Sequence, residues 1–83
     1  MKETTGWTQT DVALEKTFRF SDYYRVMAFV NAVAFIAHRD DHHPELTVHH
    51  DRVHVKYTSH DKGGLTTRDH AAVAAVEQLL RAP

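Results

Sequence analysis

Cysteine is absent from this sequence, which excludes a disulfide framework and any thiolate metal centre. Glycine and proline are scarce, three and two residues, and no glycine-rich loop with its lysine is present to cradle a nucleotide phosphate. No apolar run approaches the roughly 18 residues of a membrane-spanning helix. Met1–Trp7 is polar and lacks the apolar core of a signal peptide. An excess of one charge is missing too. Ten Lys and Arg face eleven Asp and Glu, for a net −1 with histidines neutral, and the basic residues are scattered. A nucleic-acid or membrane surface needs a clustered basic face, so neither partner is expected. These absences leave a soluble, cytoplasmic, single-domain protein spanning 1–83. Chains of this size bury only about 60% of their unfolded surface, so pairing with further copies, as a homodimer or tetramer, is expected.

The apolar pattern gives the element order. Gly6–Gln9 can start a strand anchored by Trp7, and Thr10-Asp11 supply a turn. Over 13–20, Leu14, Phe18 and Phe20 alternate with Glu15, Thr17 and Arg19, the period of a half-buried strand. Ser21 followed by Asp22 reads as a hydroxyl N-cap with an acid in the first turn. From there Tyr23, Val26, Met27, Val30, Val33, Ala34 and Ala37, broadened by Phe29 and Ile36, define a helix to about His38. Asp40-Asp41 and Pro44 stop it. Leu46–His49 is a short strand, His50-Asp51-Arg52 a hairpin turn, and Val53, Val55 and Tyr57 alternate with His54, Lys56 and Thr58 in another strand. After Gly63-Gly64, Thr66-x-x-Asp69 resembles a capping box ahead of a helix with Val73, Val76, Leu79 and Leu80 inward. The order β-β-α-β-β-α predicts an α+β fold, one four-stranded antiparallel sheet with both helices on its apolar face. The other face, assigned Lys16, His54, Lys56 and Thr58, is expected to be wet or covered by a partner, and each sheet edge invites pairing between subunits.

Histidine is in excess, eight in 83 residues. It is the side chain whose ordinary pKa, about 6.5, lies beside physiological pH. Adjacent His42 and His43 precede Pro44, and His60 follows seventeen residues after His43. Neighbouring side chains on a strand point to opposite sides, so a shared pocket for His42 and His43 requires irregular backbone, which a helix running into His-Pro supplies. Three imidazoles converging there could move protons without a metal, and such groups typically contribute about 10²–10⁴-fold to a rate. The plainer alternative is a hydrated loop pair and a strand-end histidine bonded to backbone. His38-x-x-x-His42 has helical spacing, but no H-E-x-x-H is present, and a metal site is not expected. His49 and His54 are expected on solvated strand faces and His70 on a helix surface. Ser59-His60 lies outside any G-x-S-x-G. Asp69 could also stand near the pocket, although the cap alone accounts for it.

The motifs D-H-H-P-E at Asp41–Glu45, V-H-V at Val53–Val55, Ser59-His60, G-L-T-x-R-D at Gly64–Asp69 and F-x-F-S-D at Phe18–Asp22 resemble those of the pterin-4a-carbinolamine dehydratases, over most of the chain. The resemblance implies loss of water from a 4a-hydroxytetrahydropterin, with no cofactor. On the matching positions it implies His42 and His60 as the acid/base pair, and His43 with Asp41 as substrate-binding groups. It also implies dimers or tetramers. Four features depart from the family. The usual N-terminal helix has no counterpart in the six residues before Trp7. His50 or Asp51 stands where an aromatic is usual, Leu46 where a tryptophan or similar residue often follows Pro-Glu, and His38 where animal members often have an acid. The truncation and the missing aromatic keep a second reading open. Short proteins similar to this family act as RuBisCO assembly factors in α-carboxysomes without dehydratase activity. In that case RuBisCO is the partner and the location is carboxysome-associated.

Overall fold

A computed structural model of the chain describes residues 6–58 and 65–80. Six elements follow one another: β1 (Thr8–Gln9), β2 (Ala13–Arg19), α1 (Tyr23–Asp40), β3 (Glu45–Val48), β4 (Arg52–Thr58) and α2 (Thr67–Gln78). The strands form one antiparallel sheet in the order β1-β2-β4-β3. Element order and fold class are those expected from the sequence.

Period-two alternation sets which side chains meet the helices. Leu14, Phe18, Val53, Val55 and Tyr57 join Trp7 from the sheet side, and Val26, Phe29, Val33, Ala72, Val73 and Val76 join from the helices, in one buried cluster. Phe18 sits at its centre, edge-on to Trp7 at 5.7 Å and tilted against Phe29 at 4.9 Å between ring centroids. The opposite face carries register-matched polar rows, Arg19–Arg52, Thr17–His54 and Glu15–Lys56. There His54 is half-buried, with Nε2 2.9 Å from Glu15 Oε1 and Nδ1 2.9 Å from the Thr17 hydroxyl. It is therefore tied into a cross-strand network rather than freely solvated.

Several local expectations are corrected. Lys16 lies on the helix-covered face, not the open one. It shares the parity of Leu14 and Phe18, and its ammonium lies over the Phe18 ring, 4.8 Å from the centroid, while donating to Glu77 of α2 at 2.8 Å. Long cationic side chains can bury an apolar stem while their head finds a partner. The same Glu77 oxygen accepts the Trp7 indole N–H at 2.8 Å, tying the segment before β1 to the end of α2. The N-cap of α1 is Asp22, not Ser21, because the Asp22 carboxylate accepts the Arg25 backbone N–H at 2.8 Å and also pairs with the Arg25 guanidinium. The helix runs two residues beyond His38, to Asp40. Its buried stripe is Val26, Phe29, Val33, Ile36 and Ala37, so Tyr23 and Ala34 face outward. α2 ends at Gln78, which leaves Leu79 and Leu80 39% and 46% exposed rather than inward. The β3–β4 turn is closed by the His49 N–H donating to the Arg52 carbonyl at 2.9 Å.

Truncating the ring at the centre of the cluster tests this packing. Large-to-small changes of this kind cost about 3–5 kcal/mol, and a domain of this size holds only about 4–12 kcal/mol in all. Phe18→Ala is therefore expected to remove most of the folding stability. A urea titration followed by the fluorescence of the one tryptophan, Trp7, measures it.

Candidate active site

The site is built where the C-terminus of α1 meets the N-terminus of α2. α1 stops because Asp41 takes a left-handed conformation, φ 52° and ψ 45°. The His42 N–H then reaches back to the Ala37 carbonyl at 3.1 Å and the Asp41 N–H to the His38 carbonyl at 3.4 Å. This is the Schellman arrangement, usually made with glycine. Aspartate is among the few other residues that visit this region, at some cost. The reversal turns His42 inward while the chain passes through His43 and Pro44 into β3.

α2 receives it. Thr66 is the N-cap, and Asp69 completes a capping box by accepting the Thr66 N–H on Oδ2 at 3.0 Å. The other Asp69 oxygen, Oδ1, lies 2.7 Å from His42 Nε2. Asp69 is fully buried and the His42 side chain only 12% exposed. A carboxylate only accepts, so Nε2 carries the proton and Nδ1 of the neutral ring is left with a lone pair. The His42 ring also stacks on Tyr57 of β4, at 5.5 Å and 23° between planes. Arg68, beside Asp69, donates through Nη2 to the carbonyls of Asp40 at 3.2 Å and Asp41 at 2.5 Å. These contacts surround a cavity of about 280 Å³ lined by Ile36, Asp40, His42, Arg68, Ala71 and Ala72. The hydrogen bond from Arg39, strengthened by its charge, holds the Asp40 carboxyl below its usual range.

The residues expected from the sequence fare differently. His42 stands on the cavity wall. Asp41 and His43 are adjacent to it in the chain but exposed, and neither lines the cavity. The structure gives Asp41 a backbone task, ending α1 and offering its carbonyl to Arg68. His60, with Ser59 and Gly63-Gly64, lies outside the described residues. Asp69 is more than a cap, because its second oxygen also meets His42. Among the described residues, no group of three or more His, Asp or Glu side chains is placed to hold a metal ion, and no helix is long and apolar enough to cross a membrane. Sequence reasoning missed Arg68, Asp40 and Ile36. Ile36 and Asp40 share one helix face at i,i+4 spacing, and Arg68 abuts the capping acid. Those were the available signals, but only the meeting of the two helices gives them meaning.

The family profile described as pterin 4 alpha carbinolamine dehydratase matches residues 1–79. The chain belongs to this family. Among its relatives, a protein of Xanthomonas campestris pv. campestris strain 8004, named as a candidate pterin-4-alpha-carbinolamine dehydratase, is 53% identical over 81 residues, covering 95% of this chain and 69% of the relative. A similarly named protein of Xanthomonas oryzae pv. oryzae strain PXO99A is 51% identical with the same coverage. In structure, the chain is similar to a transcriptional coactivator/pterin dehydratase from Brucella melitensis, with TM-score 0.85 and 27% identity over 92% of this chain and 83% of the other. It also shares its fold with a pterin dehydratase-like protein identified as a RuBisCO assembly factor in the alpha-carboxysome, with TM-score 0.75 and 22% identity over 93% and 89%.

Tyr57 offers a test of the site's floor. Its ring is fully buried and its hydroxyl has no hydrogen-bond partner among the described residues. Burial, and secondarily the charges of Asp40 and Asp69, push the phenol up to about 12. A buried, unpaired polar group costs about 1–3 kcal/mol. Tyr57→Phe is therefore expected to raise the stability by about 1 kcal/mol at neutral pH. Because the folded-state value lies above the ordinary one of about 10, the phenol's contribution is intact below pH 10 and lost as pH rises toward 12. Urea midpoints taken across pH 8–11.5 should fall more steeply for the wild type than for Tyr57→Phe.

Proposed function

We propose that this protein dehydrates a 4a-hydroxytetrahydropterin to the quinonoid dihydropterin, with His42 as one of its proton-transfer groups. The observation that carries the reading is the Asp69–His42 pair on the wall of a cavity, in a chain of the dehydratase family. Dehydration breaks the bond between C4a and its hydroxyl, removes a proton from a ring N–H, and releases water. It needs a base for the nitrogen and an acid for the departing oxygen. With Nε2–H held by Asp69, His42 presents Nδ1 as a base, and the imidazolium so formed is stabilised by the same carboxylate. His60 is the proposed partner acid. His43 and Asp41, exposed beside the cavity, are proposed to bind and orient the pterin. The cavity, about 280 Å³, is near the lower end of ligand pockets in size, as suits a single bicyclic ring. The chemistry requires no cofactor. Tetrahydrobiopterin is the proposed parent of the substrate, and a dimer or tetramer the proposed assembly, since the chain exposes Phe35 at 66% and Tyr24 at 81% on α1.

A second reading has one observation in its favour, the fold shared with the RuBisCO assembly factor. On that reading the protein works through its surface in an α-carboxysome, with RuBisCO as partner, and turnover is not required.

A dehydratase assay separates the two. The 4a-hydroxytetrahydropterin is generated in situ by an aromatic amino-acid hydroxylase, and its decay is followed by absorbance with and without this protein. Acceleration proportional to protein concentration is expected, and no acceleration by folded protein would sink the enzymatic reading. His42→Ala should lower turnover by about 10²–10⁴-fold. Asp69→Asn, which keeps the shape but not the charge, should lower it through kcat.

A further inference from the structure

We infer that Arg68 is a positioning residue for His42, holding the backbone that aims the imidazole while Asp69 holds the ring. The inference deepens the proposed dehydratase reading and rests on it only for its kinetic arm.

The argument starts from the end of α1. The last four carbonyls of a helix have no partner within it. Here the Schellman turn takes those of Ala37 and His38, while the Asp40 and Asp41 carbonyls both accept from one nitrogen of Arg68. Asp41 is the single non-glycine residue with positive φ among the described residues, so its conformation persists only where its surroundings enforce it. The peptide that Arg68 grips, from Asp41 into His42, is the one whose orientation sets where the imidazole starts. A guanidinium at the negative end of the helix is also favourable electrostatically.

Arg68 and Asp69 are consecutive residues in the first turn of α2, so one turn of helix makes both contacts. One fixes the main chain just before His42, and the other fixes its Nε2 at 2.7 Å. Without Arg68, the left-handed Asp41 can relax and the hold on the imidazole falls to its side-chain contacts with Asp69 and Tyr57. A proton-transfer group misplaced by about 1 Å can lose roughly 10²-fold in rate, although every reacting group is still present. Arg68 also lines the cavity, so the test must separate positioning from substrate contact.

The test is ¹⁵N NMR of the histidine side chains in the full chain, with His42 assigned by its loss in His42→Ala. The wild type is expected to hold His42 in the single Nε2–H tautomer. In Arg68→Met that signal should move toward a mixture of tautomers, with a thermal midpoint within a few degrees of the wild type. In the dehydratase assay the same variant should lose about 10- to 100-fold in kcat with KM little changed. Arg68→Lys, which keeps a cation and can reach at least one carbonyl, should fall between. A wild-type tautomer signal in folded Arg68→Met overturns the inference. So does a raised KM with kcat unchanged, which would make Arg68 a substrate contact. Should Arg68→Met not fold, a wild-type His42 signal in Arg68→Lys reduces Arg68 to a stabilising contact and overturns it equally. The NMR arm needs no turnover. A tautomer shift in a protein without dehydratase activity therefore faults the proposed function alone, and dehydratase activity without a tautomer shift faults the positioning role alone.

Discussion

Asp69 is a fully buried carboxylate, and the arrangement of the site depends on how its two oxygens are used. An unpaired charge in that position would cost several kcal/mol, so the fold must supply donors for it. Oδ2 accepts the N–H of Thr66 and Oδ1 meets His42. The first bond starts α2 and the second joins α2 to the end of α1. One side chain thus couples local helix capping to a contact between residues 27 apart in sequence, and a histidine that would otherwise be a loop residue acquires a fixed tautomer.

The surroundings reinforce that coupling from three directions. Tyr57 supports the face of the imidazole, the Schellman turn at Asp41 sets the direction of the chain, and Arg68 closes the carbonyls the turn leaves open. Tyr57 comes from the central β4 strand, so the sheet, α1 and α2 each make a contact with His42. This is why a domain with so thin a core can hold a polar site. The same packed elements that bury Val53 and Val55 also define where His42 can stand. The chain matches a dehydratase family profile over nearly its whole length. The site gives that membership a physical counterpart in a histidine held by a buried carboxylate beside a cavity.

Much of the fold was legible because the periodic signals are strong. The Val53-x-Val55-x-Tyr57 alternation predicts a strand with one buried face, and that face is buried throughout. Thr66 and Asp69 predict a capping box, and it is present. Legibility fails where one side chain has two options. The charge of Lys16 points to the open sheet face, wet or covered by a partner, yet strand parity and an acceptor on α2 put it against Phe18. Leu79 and Leu80 were read by their apolarity, but they fall past the end of α2. Ser21 and Asp22 are both good caps, and the choice went to the one whose carboxylate could also meet Arg25.

By itself the sequence determined the kinds of element, their order, the two apolar faces, and the crowding of histidines around Pro44. All of these follow from backbone geometry and periodicity, which act over a few residues. It also carried the motifs by which the family is recognisable. Only the tertiary structure decided that Asp69 faces His42 and that Arg68 reaches the carbonyls of Asp40 and Asp41. It likewise separated His42, on the cavity wall, from its neighbour His43, which faces solvent. Those outcomes depend on how two helix ends meet across a sheet. That meeting is set by the packing of the whole core, and no local pattern encodes a distance between residues 27 positions apart.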